Sequence, residues 1–162
     1  MADRPDFKEL LRMLNEEHAE YLIVGGYAVM KYTEPRFTKD LDVWIRNSPE
    51  NASKVYKALA DFGAPLKADG LAAKDFASED MTYQIGVAPV RIDILTHVSG
   101  IQFTDAWQNR AAGIFFGIPV HFISLRDLVL NKRAAGRSSD LEQLERLQEE
   151  MDKGHLNRGS ND

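Results

Sequence analysis

The run Asp40-Leu41-Asp42-Val43-Trp44-Ile45 alternates acidic with apolar residues before turning wholly apolar. Successive side chains of a strand point to opposite faces, so the run predicts a strand with Asp40 and Asp42 on one face and Leu41 and Val43 on the other. Two carboxylates placed side by side repel unless water or a cation lies between them, and a hard divalent ion that prefers oxygen ligands is the natural neutraliser. A D-x-D pair also occurs at plain exposed strand ends, and by itself does not decide between the two.

A third carboxylate narrows the choice. In Val90-Arg91-Ile92-Asp93-Ile94-Leu95 an aspartate interrupts an apolar strand, where an ionised carboxylate is costly unless it is paired or binds a metal. Arg91, two residues away on the same face, offers an ion pair with no chemistry attached. The alternative sets this strand beside that of Asp42, so that Asp40, Asp42 and Asp93 converge on one or two ions suited to in-line phosphoryl transfer. Upstream, Tyr21-Leu22-Ile23-Val24 predicts a buried strand that ends in the tight turn Gly25-Gly26, with a short helix after it. Glycines between a strand and a helix let backbone amides approach a phosphate.

The rest of the chain frames these strands. Phe7, Leu10, Leu11 and Leu14 recur at helical spacing behind Pro5, and Ser48-Pro49 opens a helix with Val55, Leu59 and Phe62 on one face. Residues 65–78 lack periodicity and are expected to form a surface connection, one that could face a substrate. Tyr83–Val87 and Val90–Thr96 predict a hairpin joined through Ala88-Pro89, and Phe115-Phe116 with Val120–Ile123 a second around Gly117. Capping boxes at Ser124 and Ser139 open two last helices. With 162 residues, 44% of them hydrophobic, the expectation is a single mixed α/β (α+β) domain over residues 1–153 and a disordered tail over 154–162. Its sheet carries the aspartates on one face and helices cover the other.

Composition excludes several functions. There is no cysteine, which removes thiolate metal sites and cysteine nucleophiles, and the four histidines show no metal-ligand spacing. A net charge of -5 argues against coating nucleic acid through bulk electrostatics. No run approaches the roughly 18 apolar residues of a membrane span and the N-terminus has no apolar signal core, so a cytoplasmic protein without a membrane partner is expected.

Thirteen residues, 27 to 39, separate Gly26 from Asp40. A glycine pair, a spacer and a D-hydrophobic-D-hydrophobic run, followed by Asp93, resemble the DNA polymerase β-like nucleotidyltransferases. The double glycine, the run Arg36-Phe37-Thr38-Lys39-Asp40-Leu41-Asp42 and the segment from Asn131 to Asp140 look most like a small bacterial branch that includes AbiEii-type toxins. They are also similar to aminoglycoside and lincosamide nucleotidyltransferases. The resemblance implies a polymerase β palm-like fold and transfer of a nucleoside monophosphate from a nucleoside triphosphate (NTP) to a hydroxyl. The acceptor is left open among tRNA or other RNA, protein and a small molecule such as an antibiotic. It implies two Mg2+ ions, or Mn2+, held by Asp40, Asp42 and Asp93, with Asp93 helping to activate the acceptor. Gly25 and Gly26 would contact the triphosphate, although many members have serine at the second position and Gly26 lacks its hydroxyl. A toxin would have a cognate antitoxin. A fold retained without turnover, as a nucleotide-binding or protein-interaction module, is the alternative.

Lys132 and Arg137 are candidate clamps for the β- and γ-phosphates, because a triphosphate needs cations in an acidic chain. A solvated helix end accounts for them equally well. Thr38 and Arg36 either orient the aspartate loop or phosphate, or, for Thr38, simply form a turn. Leu141, Leu144, Leu147 and Met151 line a helix face that buries against the domain or meets an antitoxin or a second copy in a homodimer.

Overall fold

The computed structural model describes residues 5–35, 38, 40–86 and 90–159. It opens with α1 (Pro5–Glu16), in which Phe7, Leu10, Leu11 and Leu14 are all fully buried, as their spacing requires. Next come β1 (Tyr21–Val24), α2 (Gly25–Tyr32), β2 (Asp40–Ile45) and α3 (Pro49–Phe62). The start of α3 is fixed by Ser48, whose hydroxyl accepts the Asn51 N–H at 3.2 Å, and by Pro49 in the first turn. Then follow β3 (Thr82–Ile85), β4 (Arg91–Leu95), α4 (Phe103–Gln108), β5 (Ala111–Phe115), β6 (Ile118–Phe122) and α5 (Leu125–Ala135). The last helix, α6, spans Ser138–Gly159, and so takes in the start of the segment read above as a tail.

The described strands form one mixed sheet in the order β3-β4-β2-β1-β6-β5. β2 runs parallel to β4 and antiparallel to β1, while β1 runs parallel to β6. The register of β2 on β4 sets Asp40 opposite Arg91 and Asp42 opposite Asp93. On the other face, Leu41, Val43 and Ile45 are fully buried and join Leu10 and Leu14 of α1 and Val55 and Leu59 of α3 in one core. Among the described residues no helix is long and apolar enough to cross a membrane.

Two segments differ from or add to the sequence expectation, and a third meets it. Residues 65–78 are not merely a surface connection. A short 3-10 helix (Ala73–Ala77) buries Phe76 completely, with ring centroids 6.3 Å from Tyr56 and 6.0 Å from Tyr83. Tyr83 is registered against Ile94, so this anchor lies on the face opposite the aspartates rather than toward a substrate. One apolar residue in a polar stretch leaves no period to detect. The second addition is α4, where Phe103 closes over Trp44 at 5.1 Å and stacks on Trp107 at 5.8 Å. Trp44 continues the row of Asp40 and Asp42, so that row is open at its acidic end and sealed at the other. Third, β3 and β4 pair as the expected hairpin, and its joining residues 87–89 lie outside the described residues.

Candidate active site

β1 ends at Val24 and α2 begins at once with Gly25, so the predicted turn is itself the helix N-terminus. Gly25 has φ +68, and a Cβ there would stand 2.0 Å from Asp42 Oδ2. Only glycine lets the start of α2, with its unpaired first-turn amides, press against that carboxylate. Gly26 is required for a different reason. A Cβ at 26 would stand 2.8 Å from Thr38 Oγ1, so the threonine hydroxyl occupies the space a serine side chain at 26 would need. Arg36, which the sequence associated with the same loop, lies outside the described residues.

The register brings the carboxylates together. Asp42 and Asp93 stand side by side in the parallel register of β2 and β4, and each perturbs the other's titration. Burial pushes the Asp42 carboxyl up to about 7, and the charges of Asp93 and Asp40 push the same way. Asp93, 7% exposed, is also raised, first by burial, with the Arg91 charge pulling it back. Arg91 meets both outer aspartates: its Nη2 donates to Asp40 Oδ2 at 2.9 Å, and its Nε lies 3.1 Å from Asp93 Oδ1. The latter is a contact of charges, since neither atom has an aligned hydrogen-bond partner. The innocent partner considered for Asp93 is therefore real and is shared with Asp40. Among the described residues Arg91 thus serves Asp40 and Asp93, while Asp42, registered beside Asp93, is raised by burial and by the charges of both neighbours.

Cations stand across from this row. Lys132 on α5 is 6% exposed and its Nζ lies 3.1 Å from Asp140 Oδ1 on α6, which is 1% exposed. A solvated helix end does not describe Lys132, because α6 folds back over it. Arg137 precedes α6, and its largely exposed side chain donates through Nε to Asp140 Oδ2 at 2.8 Å. Burial opposes charge on Asp140, yet the hydrogen bonds from Arg137 and Lys132 hold its carboxyl below the ordinary range. Both cations also feel Asp42. Gly25, Asp42, Lys132 and Arg137 line one cleft of about 410 Å³.

Three further residues of that cleft escaped the sequence reading: Val98, Ser99 and Asn131. Asn131 Nδ2 donates to the Ser99 carbonyl at 3.0 Å, tying the loop after β4 to α5. A loop serine and a helical asparagine carry no pattern that a single sequence reveals. Among the described residues no three acidic or histidine side chains stand ready-made as a metal cage. The donor set still fits a hard ion in part: Asp42 and Asp93 offer adjacent carboxylate oxygens, and Asp40 is free to join once Arg91 releases it.

A family model described as a nucleotidyltransferase of unknown function (DUF6036) matches residues 6–160. The chain belongs to this family. Two solved structures resemble this DUF6036 nucleotidyltransferase along almost their whole length. The lincosamide antibiotic adenylyltransferase LnuA, solved with lincomycin bound, covers 91% of this chain and 97% of its own, at 14% identity and a TM-score of 0.54. A candidate nucleotidyltransferase from Thermotoga maritima covers 94% of this chain and 96% of its own, at 12% identity and a TM-score of 0.53. At such identities the likeness speaks for fold, which is that of the polymerase β-like nucleotidyltransferases. A search of curated protein sequences found no match to the chain.

Proposed function

We propose that this DUF6036 nucleotidyltransferase is a magnesium-dependent enzyme that moves a nucleoside monophosphate from an NTP to a hydroxyl of a small molecule. One observation carries the reading: Asp42, registered beside Asp93, lines a cleft whose other walls are the α2 N-terminus at Gly25 and the cations Lys132 and Arg137. Such a cleft is negative where a metal belongs and positive where a polyphosphate belongs. Asp42 and Asp93 would hold Mg2+, and Asp40 would join them on leaving Arg91. Bound there, the ion would neutralise the carboxylates and would supply Lewis-acid polarisation of the α-phosphoryl group. Lys132, Arg137 and the first amides of α2 hold the β- and γ-phosphates. Asp93 takes the proton of the acceptor hydroxyl as that oxygen bonds to the α-phosphorus. The bond from phosphorus to the α–β bridging oxygen breaks, and pyrophosphate leaves.

Two points support a small acceptor. A chain of net charge -5 gains little from long-range attraction to RNA. LnuA, alike along nearly its full length, was solved with a small molecule bound, an analogy of fold. The competing class is an AbiEii-like toxin with RNA or protein as acceptor and a cognate antitoxin.

The deciding experiment incubates the protein with labelled NTPs, Mg2+ and panels of small hydroxyl compounds, RNA and protein. Transfer to small compounds that Asp42→Asn abolishes is the expected result. Transfer only to RNA or protein would reassign the acceptor. Transfer undiminished in Asp42→Asn would remove the site itself.

A further inference from the structure

The loop after β4 has a second side. Where Val98, Ser99 and Asn131 border the cleft just described, Val98 also borders a cavity of about 440 Å³ against the N-terminal half of α5. Its wall carries Asp127 together with Asp105 and Asn109. Asp127 is 3% exposed, yet among the described residues no cationic side chain lies within ion-pair distance of it. Its single side-chain hydrogen bond is a long one, from Asn109 Nδ2 to Oδ2 at 3.4 Å, and Oδ1 accepts none. A carboxylate this buried ordinarily has a partner. Its place in the first turn of α5, where Ser124 caps its N–H at 3.1 Å, supplies part of the compensation through the helix dipole. That explains a charge at this position, but not why it faces an open cavity.

A second orphan lies next door. An adjoining cavity of about 410 Å³ shares His97, Val98, Ile101 and Gln102 with the first, and its wall includes Trp44. The indole Nε1 of Trp44 is buried and has no hydrogen-bond partner. A thinly matched acceptor and an unmatched donor thus flank one loop. Asp127 and Asn131 are four residues apart on α5, roughly 6 Å along one helix face, which sets the Asp127 cavity directly beside the metal cleft.

We propose that the cavity at Asp127 is the acceptor subsite, and that it takes a small polyhydroxylated molecule through an ammonium group. Asp127 receives the ammonium, with Asp105 adding negative charge, while a hydroxyl of the same molecule reaches past Val98 toward Asp93. Arg126 also borders the cavity, but its side chain is exposed and solvated, so it opposes a cation only weakly. The assignment of this molecule as acceptor rests on the transfer reaction proposed above; its binding does not.

The probe pair is glucosamine and N-acetylglucosamine, alike in hydroxyls and differing in the charged amine, titrated into the 15N-labelled full chain. Glucosamine should give saturable shifts at Asp105, Asn109 and Asp127, and N-acetylglucosamine should not. Asp127→Asn, nearly isosteric, should weaken glucosamine at least about tenfold. Asp105→Asn, at an exposed position, provides a second variant should Asp127→Asn fold poorly, and should weaken it by less. Equal binding of both sugars, shifts elsewhere, no saturable shift with glucosamine, or affinity indifferent to both substitutions would overturn the subsite. Glucosamine bound at Asp127 by a protein that transfers no nucleotide would sink the catalytic reading alone; transfer indifferent to Asp127→Asn and Asp105→Asn would sink the subsite alone.

Discussion

Two charged clusters border the same cleft and are built on opposite principles. On the sheet, Asp40 and Asp93 share the guanidinium of Arg91 while Asp42 is registered beside Asp93, and among the described residues acid exceeds base. Between α5 and α6, Lys132 and Arg137 converge on the single carboxylate of Asp140, and base exceeds acid. The second cluster ties two helices together through its ion pairs and keeps one cation in excess. Among the described residues the first has fewer cations than carboxylates, and burial together with the charges of Asp93 and Asp40 raises Asp42. Buried charges of one type thus brace the fold where they are matched and mark chemistry where they are not. Substitution should separate the two roles.

The largest effect is expected from Asp42→Asn. The amide keeps the shape but removes a metal ligand, so transfer should fall at least about a thousandfold, the equivalent of about 4 kcal/mol in the barrier. Stability should hold or rise, because one repelling carboxylate is gone. A urea melt showing marked destabilisation would place Asp42 with the braces. Asp140→Asn should do the reverse and cost about 3–5 kcal/mol of stability, because Lys132 would be left buried without its partner. An unchanged denaturation midpoint would show that the α5–α6 pair is not closed by charge.

The raised Asp42 also makes a pH test with a definite sign. An acid whose folded pKa lies above its unfolded value binds more protons when folded, so its contribution to stability is full below about 4 and is lost as pH rises to about 7. The metal-free protein should therefore melt lower at pH 8 than at pH 5 from this group, by roughly 2–4 °C for each kcal/mol. Asp42→Asn should flatten the trend. Mg2+ should raise the melting temperature more at pH 8, where Asp42 is ionised, than at pH 5. An equal rise at both would detach the metal from Asp42 and Asp93.

Much of the sheet cluster was legible because strand geometry is local. Period-two alternation placed Asp40 and Asp42 on one face, and the cost of a buried charge singled out Asp93 and offered Arg91 as its partner. That Arg91 also serves Asp40 depends on the register of β2 with β4, a long-range pairing that no local pattern encodes. The brace was harder to read for the same reason. Lys132 follows an ordinary helical segment, and only the return of α6 buries it against Asp140. Phe76 and α4 were missed because each anchors through one or two aromatics, too few to establish a period.

The smallest expected effect lies at the second glycine of the turn. Gly26 lacks the serine hydroxyl that many similar chains carry, and Thr38 Oγ1 fills the volume that such a side chain would enter. If Gly26 and Thr38 divide between them what one serine does elsewhere, their substitutions must be non-additive. Gly26→Ser alone should cost about 1 kcal/mol by crowding Thr38, and Thr38→Ala alone should weaken NTP binding severalfold. The double variant Gly26→Ser with Thr38→Ala should recover much of both, since the new hydroxyl enters the space the old one leaves. Thermal melts with and without NTP measure the coupling. Simple addition of the two losses would make Thr38 a turn residue and leave the phosphates to the backbone amides of α2 and to Lys132 and Arg137.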